Sequence, residues 1–277
     1  MDKVLIIAGA GNFPVISARA HKNLGREVSA AAFEGETSPE LSKEVKDISW
    51  VKLGHLEMLI HAVASRRIPD IILAGKIEHR YIFTTQLDEA AKNFFSKLPD
   101  GRAENILRSL AEEFAAKVSA LINMKVRVIP ATAGLESYLA PQGKIGREEP
   151  TAEEMADVAL GKKVASTLAA LDCGQTVVVK KGVVVAIEGV EGTDETIRRA
   201  GLLSGRGFVV VKVARPAQDM RFDVPVIGDG TIETIALSGG RVLAVETGKT
   251  LMLPSDFDDK NSISSLADSK HIALIGI

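Results

Sequence analysis

The sequence predicts an α/β protein of two domains, a Rossmann-like parallel-sheet domain followed by a smaller mixed α/β domain. Three observations carry this. Strand-length apolar runs alternate with helical stretches along the first half. A segment rich in proline, glycine and charge then breaks the pattern, and a freshly capped helix begins behind it. Finally, the 277 residues are 46% hydrophobic but only 4% aromatic. The cores must therefore be built from Ala, Val, Ile and Leu, which suits packed α/β layers.

Lys3 to Ala8 is a continuous apolar strand, followed by GAGNFP and a helical stretch in which Pro14 fits the first turn, where a missing N–H costs nothing. Glu27 to Phe33 and Ile48 to Lys52 read as strands, Leu56 to Ser65 as a helix, and Asp70 to Ala74 as a fourth strand. Helices over roughly Thr84 to Lys97 and Arg102 to Ile122 precede a strand at Val126 to Ile129. These elements make a first domain over 1–132. Residues 133–150 read as a linker, most plainly between Pro141 and Pro150.

The second domain, 151–277, opens with Thr151 and Glu154 at capping-box spacing. Gln175 to Lys180 and Val183 to Glu188 form a hairpin across Lys181-Gly182. A helix over Thr193 to Leu203, a strand over Phe208 to Val213 and a helix over Thr231 to Ser238 follow. Arg241 to Glu246 and Thr250 to Leu253 read as strands, and a last helix and strand end at HIALIGI.

Charge and composition exclude several classes. A net charge of -2 and a pI near 6.3 give no footprint for nucleic acid. One cysteine, Cys173, allows neither an internal disulfide nor a zinc cluster and fits a reduced cytoplasm. No apolar run reaches the roughly 18 residues that span a bilayer. The first apolar stretch is too short for a signal sequence. A cytoplasmic protein is expected.

Four stretches could carry chemistry. Gly9 and Gly11 follow a strand and open a helix, as in a phosphate-binding turn, but Pro14 stands where a dinucleotide fingerprint needs its third glycine. A ligand-free βα turn and an anion site both fit. Glu34, ending the second strand, keeps an NAD-dependent oxidoreductase open as a lesser alternative. The AGKIEHR loop after the fourth strand offers Lys76, His79 and Arg80 to a phosphate, or simply to water. His55 and His61 have no metal-ligand spacing and read as ordinary histidines. In EGVEGTDE, Glu188, Glu191 and Asp194 could hold a hard divalent ion, while Thr193 or Asp194 could equally cap the next helix. In KVARPAQDMRFDVP, the cations Lys212, Arg215 and Arg221 are interleaved with Asp219 and Asp223. The strand carrying Lys212 should share a sheet with the one ending at Glu188, which would let Asp219 and Asp223 face the EGVEGTDE acids. Acids for a metal beside bases for phosphate suit metal-assisted phosphoryl chemistry.

The blocks LDCGQTVVVKKGVVVAIEGVEGTDETIRRAG and KVARPAQDMRFDVPVIG, with the N-terminal IIAGAGNFP, resemble the two-domain UDP-2,3-diacylglucosamine pyrophosphatases of bacterial lipid A synthesis. The likeness runs in order from the first strand to HIALIG. It implies Mg²⁺-dependent hydrolysis to UMP and 2,3-diacylglucosamine 1-phosphate (lipid X), with substrate held between two domains. It makes Asp223, in Arg221-Phe222-Asp223-Val224-Pro225, the critical acid and a metal ligand, with Asp219 and Arg221 as further catalytic residues. Lys212, Arg215, Gln218 and Thr193 would bind substrate, together with Gly9, Gly11, Asn12 and the AGKIEHR loop. Arg215 and Ala217 stand where the family pattern leads one to expect lysine and glycine. An amphiphilic substrate also allows peripheral contact with the inner membrane, and a homo-oligomer stays open. A non-catalytic nucleotide-sugar or lipid-binding protein remains the principal alternative.

Overall fold

A computed structural model describes residues 2–77, 85–97, 103–216, 218–255 and 261–277. The chain forms two compact units. The first comprises Met1–Glu136 and, from far along the sequence, Asp219–Asp223; the second comprises Ser137–Gln218 and Val224–Ile277.

In the first unit, β1 (Lys3–Ala8), β2 (Glu27–Phe33), β3 (Asp47–Val51), β4 (Asp70–Ala74) and β5 (Arg127–Val128) form a wholly parallel sheet of order β3-β2-β1-β4-β5. The apolar runs of β1, β2 and β4 carry no alternation because both faces are covered, as parallel sheets require. On one face Leu5, Ile7, Phe33 and Ile71 pack with Leu59 and Val63 of α3 (Leu56–Ala64), Phe94 of α4 (Glu89–Phe95) and Phe114 and Val118 of α5 (Ala103–Ile122). The other face is covered by α1 (Phe13–Asn23) through Val15, Ile16 and Ala18. A short α2 (Leu41–Glu44) precedes β3. The strand order reverses between β1 and β4, so the loops following them meet at the place where open α/β sheets bind ligands.

The second unit holds a mixed six-stranded sheet. Its strands are β6 (Gly143–Lys144), β7 (Thr176–Lys180), β8 (Val183–Ile187), β9 (Phe208–Lys212), β11 (Gly240–Val245) and β13 (Ala273–Gly276), in the order β6-β13-β11-β9-β7-β8. β9, β11 and β13 are parallel, while β7 runs against β9, β8 against β7, and β6 against β13. Two further short strands, β10 (Val226–Gly228) and β12 (Leu251–Leu253), pair in parallel. One sheet face packs on α6 (Ala152–Ala170) through Val158, Ala165 and Ala169. Gly161 is needed there, since a Cβ would lie 2.6 Å from Val211 Cγ2. The other face packs on α7 (Thr193–Ser204), α8 (Asp229–Ser238) and α9 (Ser262–Ser269) through Ile197, Ile232, Ile235 and Ile263.

The capping box forms at Thr151 and Glu154 as expected. In the hairpin turn Lys181 and Gly182 take φ of 49° and 75°, the two positive values a type I′ turn needs. Buried Asp157 fixes it by accepting from Lys181 N at 2.7 Å and Gly182 N at 2.6 Å.

The expected linker, residues 133–150, carries ordered hydrogen bonds. The stretch from residue 137 to 150 belongs to the second unit and is hydrogen-bonded into it. Ala140 N donates to Thr250 O at 2.9 Å, Ile145 N to Leu274 O at 3.0 Å, and Arg147 N to Asp268 Oδ1 at 2.6 Å. Its prolines and glycines shape an ordered edge, with β6 extending the sheet. Among the described residues, no helix is long and apolar enough to cross a membrane.

Candidate active site

The glycine-rich turn after β1 is joined to the loop after β4 by backbone hydrogen bonds. Gly9 N donates to Ala74 O at 2.7 Å and Ala10 N to Lys76 O at 2.8 Å, while Lys76 N returns to Ala10 O at 3.0 Å. This contact explains both glycines. A Cβ on Gly9 would lie 2.7 Å from Lys76 O, and one on Gly75 2.8 Å from Ala10 O, at a φ of +99°. Gly11 has open space around it and is required by its φ of +86° instead. Thr37 secures the strand end, with its hydroxyl donating to Ala8 O at 2.5 Å and accepting from Phe33 N at 2.9 Å. The N–H groups of Gly9 and Ala10 are thus engaged by protein. Asn12 is the N-cap of α1, and Lys76 is exposed beside the joined loops. His79 and Arg80 lie outside the described residues, as does Ala217.

The Asp219–Asp223 turn belongs to the same unit. Met220 O accepts from Ala131 N at 2.8 Å, and Asp223 N donates to Asp219 O at 2.9 Å. Arg221 grips Asp219 with two prongs, Nε to Oδ1 at 2.9 Å and Nη2 to Oδ2 at 2.6 Å, while its own backbone N–H donates to Oδ1 at 3.1 Å. Glu112 of α5 stands 3.7 Å from the same guanidinium. The Arg221 hydrogen bonds hold the Asp219 carboxyl below its ordinary range, against the upward pull of burial. Arg221 and Asp219, both candidate catalytic residues in the sequence, therefore brace the turn. Asp223, half-buried, closes the braced turn.

In the second unit, polar side chains gather where the C-terminal end of β9 meets the start of β7, the end of β8 and the start of α7. Lys212 Nζ donates to Thr193 Oγ1 at 3.0 Å, and the Thr193 hydroxyl donates to Glu188 Oε1 at 2.8 Å. Gln175 N donates to the other oxygen, Glu188 Oε2, at 3.1 Å. The buried Thr176 hydroxyl lies 3.3 Å from Thr193 Oγ1. Gly192, with φ +82°, is the N-cap of α7, and no side chain caps it. Thr193, a candidate cap in the sequence, turns its hydroxyl to Glu188 instead.

The loop that follows β9 is anchored at three points. Ala214 N donates to Glu246 Oε2 at 2.7 Å, Arg215 Nε pairs with Asp172 Oδ1 at 2.8 Å, and Gln218 Oε1 accepts from Arg215 N at 2.7 Å and Gln175 Nε2 at 3.1 Å. Gln175, Thr176, Asp172 and Glu246 escaped the sequence reading because nothing local marks them; each meets its partner through sheet topology.

The acids of the expected constellation fall in both units. β8 and β9 share a sheet as predicted, with β7 between them, but Asp219 and Asp223 belong to the first unit. Glu188 has hydrogen-bonded neighbours on both oxygens. Glu191 pairs with Arg199 at 2.7 Å and accepts from Thr196 at 3.2 Å. Its own backbone N–H, then Arg199 and Thr196, keep its carboxyl below the usual range despite some desolvation. Asp194 is exposed in the first turn of α7. Among the described residues no three metal-ligating side chains lie together. His61 is exposed, 3.9 Å from Glu57.

Comparison with known proteins adds the following. The family model for the LpxI N-terminal domain matches residues 3–132, and that for the LpxI C-terminal domain matches residues 141–275. The UDP-2,3-diacylglucosamine pyrophosphatase LpxI of Caulobacter vibrioides is 26% identical over 293 residues, covering 100% of this chain and 98% of that protein. Among solved structures, the biotin carboxylase domain of the Hydrogenobacter thermophilus 2-oxoglutarate carboxylase is 12% identical at a TM-score of 0.27, covering 73% of this chain and 41% of that one. A biotin carboxylase subunit of pyruvate carboxylase is 15% identical at the same score, covering 74% and 42%. The chain thus spans less than half the length of either, and scores so low carry no likeness of architecture.

Proposed function

The chain belongs to the LpxI family, and on that premise we propose that it is a hydrolase of UDP-2,3-diacylglucosamine, releasing UMP and 2,3-diacylglucosamine 1-phosphate. The observation that carries this reading is the match of both family domains, in order, across nearly the whole chain.

Asp223 is the acid assigned to the chemistry. It takes a proton from water as the water oxygen bonds to a phosphorus; the bridging P–O bond breaks, and its electron pair departs with the leaving phosphate. Asp219 and Arg221 set the turn on which Asp223 stands. Lys212 and Arg215 offset charge growing on the phosphate oxygens, where fixed cations are most effective. Gly11, Asn12 and Lys76 remain the candidates for the nucleotide side.

Mg²⁺ fits this donor set only as a lightly held ion. Asp223, with the pyrophosphate oxygens, would hold it, and Glu188, Glu191 and Asp194 are the further candidates, in keeping with the preference of Mg²⁺ for few carboxylates. When bound, it neutralises charge on the pyrophosphate. The substrate's acyl chains make peripheral contact with the inner membrane part of the same reading.

Purified protein incubated with UDP-2,3-diacylglucosamine and Mg²⁺ should release UMP, detected by anion-exchange chromatography, and chelation should stop it. Substrate binding with no UMP release would replace this reading with a nucleotide-sugar lipid-binding protein.

A further inference from the structure

Glu188, a candidate metal ligand in the sequence, holds two protein donors. Its two oxygens accept from two donors: Gln175 N, fixed by the backbone, and the Thr193 hydroxyl. A hydroxyl has one proton and two lone pairs. With the proton of Thr193 committed to Glu188 Oε1, both lone pairs of Oγ1 are left as acceptors. Lys212 Nζ meets one at 3.0 Å, and the Thr176 hydroxyl lies within reach of the other at 3.3 Å. The carboxylate thereby dictates the polarity of the whole chain of contacts. The backbone seats it closely, since a Cβ on Gly174 would lie 2.1 Å from Glu188 O.

We propose that Glu188 is a positioning residue, acting through the Thr193 hydroxyl to hold the Lys212 ammonium against a pyrophosphate oxygen of the substrate. The assignment rests on the pyrophosphatase reading above. Lysine is a flexible point charge on a four-carbon stem, and an acceptor fixed beside it limits where that charge can go. A single proton's direction therefore decides whether the ammonium finds a lone pair or a competing donor.

Glu188→Gln tests this sharply. The Gln175 N–H keeps the amide oxygen facing it, so the amide NH₂ faces Thr193 Oγ1 and competes with the Lys212 ammonium for its lone pairs. We expect kcat/KM for UMP release to fall roughly tenfold or more, the scale of a lost hydrogen bond to a charged group. Thr193→Val should lose as much, Thr193→Ser, which restores the hydroxyl, should recover most of the Thr193→Val loss, and the double variant Glu188→Gln/Thr193→Val should be no worse than either single one. The Mg²⁺ concentration for half-maximal rate should be unchanged in all. A raised Mg²⁺ requirement in Glu188→Gln alone, or losses that multiply in the double variant, would overturn the proposal.

A second readout does not depend on turnover. In the full chain with ¹³C-labelled lysine, inorganic pyrophosphate should shift the Lys212 Cε signal of the wild type and leave that of Glu188→Gln largely unmoved. Equal shifts in both proteins sink the positioning role. Wild type that shows the Lys212 shift but releases no UMP would sink the hydrolase reading and leave the positioning role standing.

Discussion

The guanidinium of Arg221 pairs with both oxygens of the Asp219 carboxylate, two residues away, at 2.9 and 2.6 Å. Two of the charges that crowd the sequence after β9 therefore satisfy each other, and the turn they brace carries Asp223.

This pair has a definite pH signature. The folded pKa of Asp219 lies below its unfolded value, so the pair stabilises in full above the ordinary carboxylate range near 4 and loses that contribution as pH falls through the lower folded value. Asp219→Asn should cost about 1–2 kcal/mol in urea unfolding at pH 7. The gap from wild type should narrow as the pH is taken below about 4. A gap of constant size would show that the pair does not set stability.

Asp223→Asn should lower kcat at least about 100-fold, the lower bound for losing a general base. Full turnover in this variant would remove Asp223 from the chemistry.

Gly9→Ala and Gly75→Ala should each destabilise by about 2–3 kcal/mol, since the added methyl meets a carbonyl oxygen of the facing loop. Gly11→Ala, with open space around it but positive φ, should cost only about 1 kcal/mol. Denaturation midpoints of the three variants give the ranking; equal losses would mean the two loops are not tightly joined.

Asp268 is the anchor of the stretch read as a linker. Burial works to raise its pKa, but the Arg147 and Glu148 N–H groups and the Arg147 side chain together hold it below the ordinary range. Asp268→Ala should expose the bonds after Lys144 and Arg147 to trypsin, while wild type resists at those positions. Identical digestion patterns would mean the anchor is dispensable.

Much of the scaffold was legible because its determinants are local. Both faces of β1, β2 and β4 are buried, and their sequences say so by lacking alternation. Thr151 with Glu154, and Lys181 with Gly182, carry their geometry within four residues. The site was legible only in part. Gly9 and Gly75 each mark a turn, but only the adjacency of β1 and β4 shows that they accommodate one another. Arg221 read as a phosphate cation because its partner Asp219 was counted separately. In residues 137–150 proline and glycine mark irregular backbone, and irregular backbone can still be tightly hydrogen-bonded.

The chain passes between its units at residues 136–137, 218–219 and 223–224, because five residues encoded late in the gene complete the early unit. Neither unit is therefore inherited as one uninterrupted stretch of coding sequence. A recombination event near codon 136 would pair the Ala131 N–H and Glu112 with a foreign version of Met220 and Arg221. Hybrids assembled from two relatives should therefore work only when codons 219–223 travel with the first 136, and substitutions in the two stretches should be inherited together.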